Sequence, residues 1–493
     1  MTTIAAQRAP LQAHDLFAQI DRLYQDVRTK GQERYDGWAA RIERRSFLPS
    51  AHNLAHYLAF RNHDLRDVQD ALAALGLSSL GRSEAHVLPT IRAVRATLAA
   101  LCGVVDAAVD RPTLRDFALG EQLLERNTRA IFGPAIDERA HIMVTLPTEA
   151  GSNFEFVRTL VGAGMDCARI NCAHDTAATW RSMAANVRRA AQETQRSCRV
   201  YMDLAGPKIR TAATISHDPE RRFIIGERFV LAKPDAPSHP ELAQIACTEP
   251  AVFATLCAGA PVWINDGKIG ATVIDSKADH AVLEVTHAGG KGKKIGPDKG
   301  LNFPQTRVEI DALTAKDHAD LDEVVAAADI VGQSFVRDAR DVDALIAELE
   351  RRNKRLPIVA KIETAEAVHN LPEILVAGAG KVPFGAMIAR GDLAVEIGYK
   401  RLAEMQEELL WLCEAAHVPV IWATQVLDQL VRKGLPSRAE ITDAAMAERA
   451  ECVMLNKGPF LVEAIGTLAD VLVRMQGHQS KKTARLRALQ AWN

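Results

Sequence analysis

Short apolar runs alternate with longer amphipathic segments through most of this chain, and that alternation leaves few folds open. The runs are Ile142–Leu146, Ala168–Asn171 and Arg199–Leu204, then Ile330–Phe335, Ile358–Ile362, Ala386–Arg390, Val418–Ala423 and Cys452–Leu455. Helix-period segments follow most of them, including Asn153–Ala163, Ala177–Glu193, Val342–Glu350 and Leu402–Glu414. A strand followed by a returning helix predicts parallel pairing, which places the chain in the α/β class. Eight such units fit a closed (β/α)8 TIM barrel better than an open sheet.

Two stretches depart from the pattern. Between about Thr211 and Pro304 the segments Arg222–Leu231, Pro261–Ile264, Gly270–Asp275 and Ala281–His287 alternate or carry β-branched residues between Gly, Pro and Asp. That is too long for a loop, so residues 211–304 are expected to form a small all-β lid domain inserted after the third barrel strand. Residues 1–135 read as a helical N-terminal extension, with Leu11, Leu16 and Ile20 near helical spacing and turns at Gly76 and Gly81. The barrel then takes 136–210 and 305–485. Arg44, Arg45 and the histidines of His52–His63 are expected on a solvated helix face.

Composition removes several function classes. The chain has 493 residues, 48% hydrophobic and 25% charged, the balance of a soluble globular protein. Sixty Lys and Arg stand against 62 Asp and Glu, so no basic field calls for nucleic acid or an anionic membrane. No run approaches the roughly 18 apolar residues that a membrane span needs. The first residues lack a basic region followed by an apolar core, and the eight cysteines contain no C-x-x-C pair. A cytoplasmic protein with buried, reduced thiols is the expectation.

The chemistry gathers where catalytic residues sit in barrels, at the C-terminal ends of the strands. Strand two ends in Arg169, Asn171 and His174, and strand three ends in Asp203 before Gly206-Pro207-Lys208-Ile209-Arg210. Later strands end in Lys361-Ile362-Glu363, Arg390-Gly391-Asp392 and Ala423-Thr424-Gln425. Lys361 and Glu363 are two apart and share a face. With Asp392 they supply two hard oxygen donors beside a cation, the way Mg2+ is usually held. Arg169, Arg210 and Lys361 would add positive charge for a phosphate. A ring of structural salt bridges explains the same residues without a ligand.

Six segments, in order, resemble the pyruvate kinase family. They are Ala163-Gly-Met-Asp-Cys-Ala-Arg-Ile-Asn-Cys-Ala-His174, Asp203-Leu-Ala-Gly-Pro-Lys-Ile-Arg-Thr211, Val359-Ala-Lys-Ile-Glu363, Met387-Ile-Ala-Arg-Gly-Asp-Leu393, Ala423-Thr-Gln-Val-Leu427 and Pro436-Ser-Arg-Ala-Glu440. The resemblance implies phosphoryl transfer from phosphoenolpyruvate to ADP, giving pyruvate and ATP. It implies Glu363 and Asp392 as ligands of Mg2+ (Mn2+ as a substitute), Lys361 beside the transferring phosphoryl group, and Arg169 orienting it. The backbone around Gly391 and Asp392 would receive the substrate carboxylate. Thr424 would stand near the carbon that is protonated and relay a proton through water. Asn171, His174, Arg210 and Lys299 would surround the nucleotide phosphates. Gly289-Gly-Lys-Gly-Lys-Lys294 lacks Walker A spacing and reads as a basic hairpin of the lid. Asp266-Gly267 resembles the family's inserted-domain turn.

Three departures qualify the resemblance. The family's monovalent-cation ligands fall at Asn171, Ala173, Asp203 and Leu204, so two side-chain oxygens are missing, and Lys208 replaces a glutamate nearby. A tethered ammonium can stand in for K+, so the ion is expected not to be required. The serine-glycine-glutamate-threonine segment after strand eight reads Leu455-Asn-Lys-Gly-Pro-Phe460, and Thr145-Leu-Pro-Thr-Glu149 matches only loosely. The C-terminal effector domain of the family finds no room before Asn493, so activation by sugar phosphates at that site is not expected. A homo-oligomer stays open. The alternatives are a Mg-dependent pyruvate or oxo-acid aldolase or lyase, and a catalytically weak regulatory homologue. In tetramethylammonium buffer the phosphotransfer rate should barely respond to KCl; a large stimulation would contradict the role given to Lys208.

Overall fold

The computed structural model describes residues 13–104, 109–134, 139–216, 218, 220–481 and 483–484. Leu11, the extreme N-terminal residues read for a leader, and the boundaries drawn at 135, 136 and 485 lie outside the described residues. Five helices come first: α1 (Ala13–Ala39), α2 (Leu48–Arg61), α3 (Arg66–Ala74), α4 (Val87–Leu101) and α5 (Leu114–Phe132). Leu16, Ile20, Leu23 and Val27 recur at helical spacing and bury one stripe of α1 against α2 and α4. Thr113 and Asp116 cap α5 reciprocally, satisfying donors that its first turn leaves free.

These helices do not present the solvated face expected of Arg44 and the histidines. The Arg44 guanidinium donates to the carbonyls of Ala379 (3.2 Å) and Val382 (2.9 Å) and to Asn127 Oδ1 (2.9 Å). His56 is fully buried, and His63 Nε2 lies 2.9 Å from Asp26. Helical periodicity cannot show that a second layer covers a polar face. Here it does: Trp38 Nε1 donates to Glu373 (2.7 Å), Asn53 Nδ2 to the Ala415 carbonyl (2.9 Å) and Asn127 Nδ2 to the His417 carbonyl (2.7 Å).

The alternation then unfolds in space: β1 (His141–Thr145), α6 (Phe154–Ala163), β2 (Cys167–Asn171), α7 (Ala177–Thr194) and β3 (Arg199–Asp203). A seven-stranded sheet intervenes, with β4 (Thr211–Ser216), β5 (Arg228–Ala232), β6 (Gln244–Cys247), β7 (Pro261–Ile264), β8 (Ile269–Ser276), β9 (His280–His287) and β10 (Leu301–Asn302). Next come α8 (Ala315–Ala327), β11 (Ile330–Gln333), α9 (Ala339–Arg351), β12 (Ile358–Ile362), α10 (Ala365–His369), α11 (Leu371–Ala379) and β13 (Phe384–Ala389). The chain closes with α12 (Arg390–Ile397), α13 (Tyr399–Ala415), β14 (Val420–Ala423), α14 (Asp428–Lys433), α15 (Arg438–Ala447), β15 (Cys452–Leu455) and α16 (Leu461–Gln476). The eight strands close in the order β1-β15-β14-β13-β12-β11-β3-β2, every pair parallel.

The inserted sheet has its own core, built on Phe223, Phe229, Leu231, Ile245, Val262 and Leu283. Strands of the inserted sheet and of the barrel differ from expectation in three places. Arg222–Leu231 is not one strand, because Gly226 turns at φ +85° with Ile224 and Ile225 exposed before it. β4 and β6 were hidden among polar residues. Arg390 opens α12 instead of ending a strand.

Inward-facing residues of all eight barrel strands stack as a further core, Met143, Cys167, Tyr201, Val359, Met387 and Ile421 among them, and Ile131 and Phe132 of α5 join it. The N-terminal helices thereby plug the floor of the barrel, opposite the polar strand ends. Phe132→Ala should cost about 3–5 kcal/mol in denaturant unfolding, the usual loss for a buried aromatic. Leu114→Ala, at a side chain 89% exposed, should stay within about 0.5 kcal/mol. Equal effects would contradict the plug.

Candidate active site

The period-two pleat of β2, β3 and β12 turns Arg169, Asp203 and Lys361 into the barrel at its C-terminal rim, where all three are buried. Asp203 accepts from both Nε (2.9 Å) and Nη2 of Arg169, whose Nη1 donates to Thr145 Oγ1 at 3.0 Å. Lys361 Nζ lies 3.3 Å from Asp203 Oδ2, 3.3 Å from Glu363 Oε1, and donates to Ser334 Oγ at 2.8 Å. Burial works against ionisation of Asp203, but Lys361 and Arg169 outweigh it and hold the carboxyl below its usual range. Burial likewise opposes charge on Lys361, and Asp203 and Glu363 overcome it, so the ammonium stays protonated. Ser334 completes the group by donating to the Leu204 carbonyl at 2.7 Å. Gly206, at φ +69°, permits this approach; a side chain there would meet the Ser334 carbonyl at 2.8 Å.

Glu363 and Asp392 converge on the same rim. Burial, together with the charge of Asp392, pushes the Glu363 carboxyl up despite Lys361, while its Oε2 accepts from the Phe335 amide at 2.8 Å. Lys208 Nζ sits 2.8 and 3.1 Å from the two oxygens of Asp392 and 4.0 Å from Asp266. Its stem runs so close to Gly300 that a Cβ there would meet Lys208 Cε at 2.8 Å. Lys208 thus joins the barrel rim to the root of the inserted sheet, and Asn302 Nδ2 reinforces the join at Glu396 (3.0 Å).

Gly391, in the first turn of α12, faces Thr424: an added Cβ would lie 3.7 Å from Thr424 Oγ1. That hydroxyl is buried and has no hydrogen-bond partner among the described residues. Thr424 and Gln425 both hold positive φ, +66° and +60°. Arg390 fixes this turn through the carbonyls of Ala423 (3.0 Å) and Thr424 (2.5 Å) and its pair with Asp443 (2.9 Å).

The four residues expected around a nucleotide divide into two places. Asn171 and His174 line a cavity of about 290 Å3 with Arg169, Thr145, Asn456 and Lys457 of the altered segment after the eighth strand, and Arg432, which carries no signal in the sequence. Arg210 and Lys299 do not line it. Arg210 Nη1 lies 3.3 Å from Asp298, and the Lys299 backbone pairs with Thr211 at the root of the inserted sheet. Ser334 was also passed over; nothing in an isolated serine marks it as a partner of a lysine 27 residues away.

A family model described as "Pyruvate kinase, barrel domain" matches residues 137–464. The chain belongs to the pyruvate kinase family. Pyruvate kinase of Geobacillus stearothermophilus is 34% identical over 330 residues, covering 64% of this chain and 54% of that protein. Pyruvate kinase PKLR of Rattus norvegicus is 31% identical over 332 residues, 64% of this chain and 56% of that protein. Pyruvate kinase of Mycobacterium intracellulare is 31% identical over 358 residues, 70% of this chain and 72% of that protein. Against the first two, the match spans a little over half the relative's length.

Within this family frame the oxygen donors can be tested. Glu363 and Asp392 offer hard carboxylate oxygens whose mutual repulsion a divalent cation would offset, as Lys361 and Lys208 now do, so the pair fits Mg2+. The places that resemble a K+ site are otherwise engaged: Asn171 Oδ1 accepts from the Ala173 amide (3.0 Å), Asp203 is held by two cations, and the Leu204 carbonyl is taken by Ser334.

Because Asp203 is held ionised by its neighbours, its contribution to stability is present above the ordinary aspartate range, about pH 3.9, and is lost as pH falls through the lowered native value. Asp203→Asn should therefore destabilise by about 3–5 kcal/mol at pH 7. The deficit should shrink in acid, measured by urea unfolding across pH. A gap constant down to pH 3 would show that the carboxylate charge is not what the site depends on.

Proposed function

We propose that this protein is a pyruvate kinase that transfers the phosphoryl group of phosphoenolpyruvate to ADP, requires Mg2+ or Mn2+, and works without K+. The observation that carries the reading is the buried Lys361 ammonium between Asp203 and Glu363, on a rim that also presents Asp392 and Arg169. Phosphoryl transfer asks chiefly for positioning and charge neutralisation, and this rim offers both. Glu363 and Asp392 would hold the divalent ion, which would supply positive charge to the bound anion.

The remaining work falls to the chain. Lys361 lies against the transferring phosphoryl group and offsets its charge, and Arg169, locked by Asp203 and Thr145, orients it. The first turn of α12 at Gly391 and Asp392 receives the substrate carboxylate, where free amides favour an anion. Thr424 stands beside the carbon that takes a proton. A threonine hydroxyl is a weak acid at neutral pH, so it passes a proton from water, and with no hydrogen-bond partner among the described residues it is free to do so. Asn171, His174, Arg210 and Lys299 meet the nucleotide phosphates, the last two carried in from the inserted sheet acting as a lid. Lys208 supplies the charge that K+ supplies elsewhere in the family.

A coupled assay with phosphoenolpyruvate, ADP and Mg2+ should give ADP-dependent pyruvate. Lys361→Met should lower kcat by about 10^3-fold or more, since it removes a charge aimed at the transition state. No pyruvate from the wild type would favour an oxo-acid lyase or a regulatory homologue instead.

A further inference from the structure

Apart from Lys208, no residue given a part in the reaction lines a cavity of about 700 Å3 at the root of the inserted sheet. Two chain segments join that sheet to the barrel, one between β3 and β4 and one between β10 and α8. Both belong to the cavity wall, the first through Pro207, Lys208 and Ile209, the second through Phe303, Thr306 and Val308. Along the second segment Pro304, Thr306, Val308 and Ile310 are half-buried, while Gln305, Arg307 and Glu309 are exposed. That period of two marks an extended strap with one face turned inward. The barrel contributes Phe335, Glu366 of α10 and Glu396 of α12. Phe335 sits at φ +56°, a conformation that bulky side chains avoid. Its amide donates to Glu363 at 2.8 Å, so the wall includes backbone that holds an active-site carboxylate.

The three Lys and Arg side chains that line the cavity are already matched. Lys208 pairs with Asp392 at 2.8 Å, Arg337 with Asp341 at 2.9 Å, and Arg307 lies 3.7 Å from Glu366. Asn302 is not matched in full. This side chain, 5% exposed, also lines the cavity and donates from Nδ2 to Glu396 at 3.0 Å. A carboxylate accepts, so Nδ2 is the end that faces it. Oδ1 is then left buried with no hydrogen-bond partner among the described residues. A bound N–H or O–H would satisfy it.

We infer that this cavity is a second small-molecule site, for an apolar ring system that carries a hydrogen-bond donor to Asn302, and that its occupant restrains the inserted sheet. The volume is that of an ordinary ligand pocket at a domain junction. Apolar walls without an unmatched Lys or Arg disfavour a phosphorylated ligand, and the open acceptor asks for a donor. A molecule held here touches both connecting segments at once. Its effect on turnover rests on the proposed lid closure; its binding does not.

The probe is 2-naphthol, with 2-methoxynaphthalene, which lacks the donor, as its control. In calorimetry on the full chain, 2-naphthol should bind about tenfold more tightly than the control, the worth of one buried hydrogen bond. Thr306→Trp, which fills the cavity from the strap, should abolish binding of both. Crystals of the wild type soaked in 2-naphthol should show the ring between Phe335 and the strap, its hydroxyl on Asn302. In initial-rate kinetics saturating 2-naphthol should lower kcat, a loss that excess phosphoenolpyruvate does not reverse. No binding to the wild type, or binding that Thr306→Trp leaves intact, would overturn the site. Equal affinity for the two naphthalenes would overturn the ligand class, and an unchanged kcat would overturn the restraint on the sheet. A wild type that binds 2-naphthol in the cavity but forms no pyruvate would overturn the proposed reaction and leave the site standing.

Discussion

Asp203, itself fully buried, holds two cations at once, Arg169 and Lys361. Burying any of the three alone would cost several kcal/mol, so each is tolerable only because the others are present. That mutual dependence fixes the side chains without help from a ligand. Ser334 takes a further N–H of Lys361 and Thr145 one of Arg169, and the result is a rigid cationic wall with Glu363 and Asp392 beside it. A reaction that gains mainly from neutralising moving negative charge benefits from a wall that is already ordered.

The rest of the molecule keeps that wall in place from both ends. Below it, layers of barrel side chains rest on Ile131 and Phe132, so the N-terminal helices bear on the floor of the catalytic barrel through packing. Above it, Lys208 links the rim to the inserted sheet through Asp392. The same ammonium, proposed to stand in for a monovalent ion, therefore also ties Asp392 to the root of the inserted sheet. Among the described residues no helix is long and apolar enough to cross a membrane.

Much of this was legible in the residues. The barrel strands announced themselves because each is buried on both faces and reads as a short apolar run, and Ile358–Ile362 and Cys452–Leu455 fall where the pattern puts them. The pair Lys361 and Glu363 was legible from spacing, and Arg169, Asp392 and Thr424 from their places at strand ends. What was not legible depends on contacts distant in sequence. Asp203 carried no sign that it would hold both Arg169 and Lys361. The partners of Arg44 lie at the end of α11, just after it and in α5, and β4 and β6 gain their strand character from pairing, β4 with β6 and β6 with β5 as well.

The most direct test of the central claim is diffraction at the manganese edge from crystals of the full chain soaked with Mn2+ and phosphoenolpyruvate. The account predicts one anomalous peak between the carboxylates of Glu363 and Asp392, with the substrate phosphate against Lys361 and Arg169. A peak elsewhere, or a phosphate bound away from Lys361, would contradict it.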